Sequence, residues 1–386
     1  MNQETFIFMN KTLLLILIFI SNLSYSQCEG RYQSEIFNSV SLTTVNYSDV
    51  YNDDRHKMDI YTPEGDTAKN RPVIIFIHGG GFVAGDKDST YCTDFCSSFA
   101  KRGYVTVSMN YRLTNFFSFL SKENQYEAII KAMYDAKSAI RYLRKDFENG
   151  DSFGIDTSTI FIGGYSAGAI TSLHLSYLNN INDLPSYVID NDGSVFNPQS
   201  IASSVGGVNG FEGDAGNLGY SSKVSGVISF AGALLQTTWI DENDVPLVTA
   251  HGTLDSTVNY YCGAAFGQPI VVNMCGPGEM HPQANQVGVI NDELIFNGID
   301  HDWTHGGLLS SEFQQAVSFT SDFLFPLLPC NNTSLSYFDN NLFVPDSNRK
   351  LLKVVDLRGQ EIEPQPNVMF LEIFDNGTVE KKIILE

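Results

Sequence analysis

Thr159-Ile-Phe-Ile-Gly-Gly-Tyr-Ser-Ala-Gly-Ala169 reads as a short buried strand, a very tight turn and the start of a helix. Ser166 is at the apex, inside Gly164-Tyr165-Ser166-Ala167-Gly168, which fits G-x-S-x-G. A serine held on a strained strand-to-helix turn projects its hydroxyl above the sheet, and its flanking residues must be tiny for the backbone to pass. The following helix offers unpaired N–H groups and the positive end of its dipole. Gly and Ser are common in this chain, so the pattern means little alone. It carries chemistry when a glycine-rich loop precedes it and an acid and a histidine follow in that order.

Upstream, Val73-Ile-Ile-Phe-Ile77 is a continuous apolar run that predicts a buried central strand. It ends at His78-Gly79-Gly80-Gly81-Phe82, where backbone N–H groups can approach a ligand closely. Residues 41–61 alternate like antiparallel edge strands. A helix is expected over 88–101 and a strand over 104–108, followed by Asn110-Tyr-Arg-Leu113. Phe116, Phe117 and Phe119 read as ordinary core. Gln125 to Lys145 predicts an amphipathic helix, with Ala128, Ile129, Ala132, Met133, Ala136, Ile140 and Leu143 on one face.

Downstream, residues 178–222 are rich in Asn, Asp, Gly and Ser and lose periodicity. They are expected to pass over the top of the sheet as a lid or substrate-binding region. Asp190, Asp192 and Asp214 lack the oxygen spacing of a calcium loop and read as solvated. Strands return at 224–230 and 246–250. The second ends in His251-Gly-Thr-Leu-Asp255, so Asp255 falls just past a strand's C-terminal end. Another strand, 293–296, leads into Gly298-Ile-Asp-His301-Asp-Trp-Thr-His305, and a helix over 312–325 closes the unit. Both His301 and His305 are candidates for a base, with His301 favoured by the resemblance below. His251 is expected to hold the acid loop and His78 to support the glycine loop. Strands alternating with helices imply an α/β fold with a mostly parallel sheet.

Of 386 residues, 43% are hydrophobic and 17% charged, which is globular. The net charge of −21, from 44 acidic and 23 basic residues, disfavours nucleic acid and anionic membranes as partners. Lys11, the apolar run Leu13–Ile20 and the small residues Ser24 and Ser26 predict a signal peptide over 1–26, with the mature chain starting at Gln27. The run is too short for a membrane span. The protein is therefore expected to be secreted. Six cysteines in an exported chain suggest disulfides. Cys262 and Cys275 form the best local pair. Cys92 and Cys96, a poor zinc site, are expected to bridge separately to Cys28 and Cys330, although spacing does not fix the connectivity. The expected domains are a catalytic unit over 27–330, a linker over 331–341 and a small all-β module over 342–386 with a hairpin turn at Asp375-Asn376-Gly377.

Residues 41–328 resemble the secreted esterase and lipase branch of the α/β-hydrolase fold with a His-Gly-Gly-Gly loop. That branch includes hormone-sensitive-lipase-like, carboxylesterase and feruloyl/acetyl-xylan esterase groups. The matching motifs are Met58-Asp-Ile-Tyr-Thr-Pro63, His78 to Phe82, Asn110 to Leu113, Gly164 to Gly168, His251 to Asp255 and Gly298 to His301. The resemblance implies a serine carboxylic-ester hydrolase with no metal and no cofactor. Ser166 would be the nucleophile, His301 the base, Asp255 its orienting acid, and the N–H groups of Gly80, Gly81 and Ala167 the oxyanion hole. Phe82 and Tyr165 would contact substrate, a small or polymer-linked ester. A serine peptidase of this fold usually carries a large extra domain that this chain has no room for. A non-catalytic binding protein commonly lacks a triad residue, and here all three positions are filled. With Leu351-Leu-Lys-Val-Val-Asp356, Gly359 and the closing Asp375-Asn-Gly-Thr-Val-Glu-Lys-Lys-Ile-Ile384, the last ~50 residues resemble the sorting domain of proteins exported by type IX secretion, which implies the secretion machinery as a partner.

Overall fold

The chain first lays down an antiparallel pair at one edge, β1 (Val40–Asn46) and β2 (Lys57–Pro63). It then alternates β3 (Arg71–Ile77), α1 (Thr90–Lys101), β4 (Val105–Met109), α2 (Lys122–Glu148), β5 (Ile155–Tyr165) and α3 (Ala167–Tyr177). After the two-residue strands β6 (Val188–Ile189) and β7 (Val195–Phe196) come α4 (Pro198–Gly206), β8 (Gly226–Phe230) and β9 (Leu247–Gly252). A short hairpin, β10 (Cys262–Ala264) with β11 (Asn273–Cys275), precedes α5 (Pro277–Val287), β12 (Asn291–Phe296) and α6 (Ser311–Leu324). In this computed structural model residues 28, 30–331, 351–355, 362, 369–374 and 379–383 are described. The expected signal peptide, the linker from 332 onward and the Asp375–Gly377 turn lie outside them.

Eight strands form one sheet in the order β1-β2-β4-β3-β5-β8-β9-β12, parallel from β4 to β12. The pleat explains why β3 reads as an unbroken apolar run. Val73, Ile75 and Ile77 enter the core shared with α2 and α3, while Ile74 and Phe76 enter the opposite core with α1 and α6. Both faces are covered, so neither can be polar. Each such buried side chain contributes about 1.5–3 kcal/mol. The seven apolar positions read on one face of α2 all lie in the first core. Ser121 caps that helix by accepting the Asn124 N–H.

Four expectations are corrected. Cys28 pairs with Cys330, and Cys262 with Cys275, while Cys92 and Cys96 are unbridged and buried. The i,i+4 spacing on α1 turns Cys92 and Cys96 inward, into the core that also holds Ile74 and Phe76 of β3. Residues 178–222 do not simply cross the top of the sheet. Their polar contacts run along α2, from Asp190, which accepts the Lys122 N–H at 3.1 Å, through Ala202, whose carbonyl accepts from Tyr134 Oη, to Gly216 beside Arg141. They also contain α4, announced by Asn197 as cap and Pro198 at the first turn. Asp190 and Asp214 are not solvated loop residues, since Asp214 takes both terminal nitrogens of Arg112 at 2.7 Å. Finally, Phe116 and Phe117 are 63% and 83% exposed rather than core, and only Phe119 of the three turns inward, against Phe82.

The chain divides into two compact units, Met1–Thr333 and Ser334–Glu386. The second contains an antiparallel three-stranded sheet of β13 (Leu351–Val355), β14 (Met369–Phe374) and β15 (Val379–Ile383), in that order.

His174, on α3, is buried and donates Nδ1–H to the Ile170 carbonyl at 2.7 Å. Burial pushes its titration down to about 4 from 6.5. Below 6.5 the unfolded chain binds a proton that the folded chain refuses, so stability is lost as pH falls from 6.5 towards 4. At 1.36 kcal/mol per pH unit the loss is on the order of 3 kcal/mol at most. His78, depressed for the same reason, adds to it, whereas His56, raised by Asp135 and Asp53 against its own burial, opposes it. Melting curves across this window should show a fall in Tm that is smaller in His174→Gln, which keeps a donor but cannot ionise.

Candidate active site

The site is built where two parallel strands end side by side. Ile77 of β3 pairs with Gly164 of β5, which sets the glycine loop beside the serine turn. Ser166 has φ 54° and ψ −119°, a strained conformation held by its N–H donating to the Phe230 carbonyl at 2.8 Å. Its own carbonyl starts α3 by accepting from Ile170. Gly168 is required by close approach, because a Cβ there would run into the backbone of Ile77 and His78. Gly80 is required by conformation, at φ +110°, and by space, since its Cβ would meet the Ala84 carbonyl.

Around Ser166 the hydrogen bonds form one line. Ser166 Oγ is 2.9 Å from His301 Nε2, and His301 Nδ1 is 2.7 Å from Asp255 Oδ2. Asp255 follows β9 and His301 follows β12, and these strands are parallel neighbours. His305 is not part of this line: its side chain is 57% exposed and it faces Asp302 at 3.6 Å. The His301 loop is held by the His301 N–H donating to Asp300 at 2.8 Å and by Tyr165 Oη donating to the His301 carbonyl at 3.1 Å.

Asp255 is buried, and burial alone would raise its carboxyl. Donation from His251 and His301 overrides burial and holds it well below the usual carboxylate range. Its Oδ1 also accepts the N–H groups of Thr257 at 2.9 Å and Val258 at 2.7 Å. An ionised acceptor at Oδ2 requires the proton of His301 on Nδ1. The Nε2 lone pair is then left to accept the Ser166 hydroxyl.

The glycine loop is tied down around its two free amides. The Gly79 N–H donates to Tyr91 Oη at 3.0 Å, whereas among the described residues no acceptor takes the N–H of Gly80 or Gly81. Ala167, at the first position of α3, has an N–H with no intrahelical partner. His78 donates Nδ1–H to Gly79 O at 2.7 Å, stacks on Tyr111 at 4.4 Å and accepts Tyr111 Oη at its carbonyl. The Thr114 N–H closes the loop on Phe82 O at 2.8 Å. Phe82 and Tyr165 are each only 2% exposed, so neither presents an open wall to solvent.

Two groups go beyond the sequence reading. Arg112 donates Nε–H to Asp135 at 2.9 Å while gripping Asp214, which fixes the segment carrying Tyr111 and Thr114. Its Asn-Tyr-Arg-Leu setting was visible, but its partners come from 135 and 214, too far in sequence to be paired by spacing. His251 places Nε2 2.8 Å from the Val258 carbonyl and 3.2 Å from Asp255 Oδ2, closer to the acid than a loop support needs to be. Among the described residues no group of three or more His, Cys, Asp or Glu could hold a metal ion.

Comparison with known proteins places this geometry in a lineage. Gut esterase 1 of Caenorhabditis briggsae is 31% identical over 128 residues, 33% of this chain and 22% of that protein. The para-nitrobenzyl esterase of Bacillus subtilis (strain 168) is 29% identical over 133 residues, 34% of this chain and 26% of that protein. The chain thus spans about a quarter or less of the length of these curated relatives. A solved structure of a truncated carbohydrate esterase from gut microbiota superposes with a TM-score of 0.52 at 18% identity, covering 76% of this chain and 99% of that one. The fold is accordingly the α/β-hydrolase fold, with the mostly parallel sheet and flanking helices described above. The BD-FAE family matches residues 58–268, more than half of the 386, a span that includes the glycine loop, Ser166 and Asp255. The chain belongs to the BD-FAE family.

Proposed function

We propose that this chain is a serine carboxylic-ester hydrolase working through an acyl-enzyme. The observation that carries the reading is the unbroken hydrogen-bond line from Ser166 Oγ through His301 to Asp255. As the ester carbonyl is attacked, His301 Nε2 takes the Ser166 proton and Asp255 stabilises the imidazolium. The tetrahedral oxyanion is received by the free N–H groups of Gly80, Gly81 and Ala167. Collapse breaks the bond to the alkoxide, which leaves as the alcohol with the proton from His301. Water, deprotonated by the same imidazole, then attacks the acyl-enzyme and frees the acid and Ser166. Phe82 and Tyr165 act by shaping the floor beneath the substrate. Curated relatives named esterases support the activity, and the carbohydrate esterase among the structural relatives makes acylated carbohydrate a first substrate to test.

The same proposal places the protein outside the cytoplasm. Two disulfides suit an oxidising compartment, and no helix among the described residues is long and apolar enough to cross a membrane. We assign 1–26 to a signal peptide, and the terminal β module to sorting by the secretion machinery.

Ser166→Ala should keep the wild-type Tm within a few degrees and lower kcat on a short p-nitrophenyl ester by roughly 10⁴-fold or more. A fluorophosphonate should label wild type at Ser166 and leave the variant unlabelled. Full activity in the variant would falsify the reading. In Gly80→Ala the Cβ meets the Ala84 backbone and displaces the loop. There kcat should fall by about 100-fold or more, the cost of a lost oxyanion donor, while fluorescence reports a folded protein. A panel from acetate to long acyl chains, with acetylated and feruloylated sugars, should show one class preferred in kcat/KM.

A further inference from the structure

Asp255 is held by two imidazoles, and the mechanism above uses only one. His251 lies on β9, four residues before the acid, with its side chain 1% exposed. Its Nε2 is 2.8 Å from the Val258 carbonyl and 3.2 Å from Asp255 Oδ2. Both neighbours are acceptors only, so Nε2 must carry the proton. Among the described residues Nδ1 is buried with no partner, and nothing there competes for the proton. Geometry therefore places the Nε2 proton between a backbone carbonyl and the acid.

That shared proton has a definite mechanical result. Val258 donates its N–H to Asp255 Oδ1 at 2.7 Å and accepts from His251 at its carbonyl. His251, Val258 and Asp255 thus close a ring of polar contacts rooted in β9, the strand beside the edge strand β12. Within it the carboxylate cannot turn about its own axis without breaking a bond at either oxygen. The orientation it keeps is the one in which Oδ2 meets His301 Nδ1 at 2.7 Å. Resting on the esterase reading of Ser166 and His301, we propose that His251 is a positioning residue that locks the rotation of Asp255 and so holds His301 in line with the nucleophile.

The test compares His251→Leu, His251→Gln and His251→Asn in the full chain. Gln carries an amide N–H at the reach of Nε2, whereas Asn ends near the position of Nδ1 and cannot span to Val258. Using a short p-nitrophenyl ester and active-site titration to count competent sites, kcat should fall roughly 10- to 100-fold in Leu and Asn with KM changed less than about 2-fold. It should return to near wild type in Gln. Independently of turnover, the low-field proton resonance of His301 Nδ1–H should move in Leu and Asn and return in Gln. Equal kcat per titrated site in all three, with that resonance unmoved, would overturn the proposal and leave His251 a packing residue. If Leu does not fold, the Gln and Asn pair decides by the same two readouts. Absence of ester hydrolysis in wild type would sink the esterase reading, while the resonance still decides whether His251 orients the acid.

Discussion

The contact on which the site depends is the one between the end of β3 and the serine turn. Ile77 is hydrogen-bonded alongside Gly164, and its carbonyl lies where a Cβ of Gly168 would sit. Three backbone segments share a space that no side chain can enter. The relation between the glycine loop and Ser166 is thereby set by main-chain sterics rather than by adjustable side chains. Those sterics are enforced by the cores on both faces of the sheet, since Val73 to Ile77 have no solvent-exposed surface. Freedom that a reaction would otherwise have to remove is removed in folding, which is how a rigid scaffold lowers an activation barrier.

The charged half of the site obeys a different rule. Asp255 and His301 arrive from β9 and β12, distant in sequence from the serine. A buried carboxylate with no donors would protonate and lose its grip on the imidazole. Here the loop folds back so that two of its own N–H groups reach Oδ1, while two imidazoles face Oδ2. Charge stabilisation and orientation come from the same four donors. The net charge of −21 is a property of the whole chain and does not set the local balance at this acid.

What could be read from the sequence was whatever is encoded locally. The apolar run of β3, the helical period of α2, and the serine turn each state their structure within about ten residues. The order of glycine loop, serine, acid and histidine then limited the topology. What could not be read was decided by contacts between remote segments. Asp190 and Asp214 look like solvated loop residues until Lys122 and Arg112 are placed beside them. Cys28 and Cys330 are separated by 302 residues, and only the closed fold brings them together. The choice between His301 and His305, four residues apart in one loop, turns on a 3₁₀ turn over His301–Thr304 that periodicity does not reveal.

The framing of the site follows from the same distinction between local and remote. The segment that looked like a cover, 178–222, spends most of its polar contacts on α2. The segment that frames the acid is the one after Asp255. There the β10–β11 hairpin is closed by Cys262 and Cys275, and Leu234 and Cys275 exchange backbone hydrogen bonds at 2.9 and 2.8 Å. Phe266 donates its N–H to the Thr257 carbonyl, one residue before Val258. The hairpin, the end of β8 and the acid loop are consequently one cross-linked piece. That piece includes Thr257 and Val258, whose N–H groups hold the carboxylate. The acid loop is thus braced by its own downstream hairpin, whereas the polar contacts of 178–222 bear on α2.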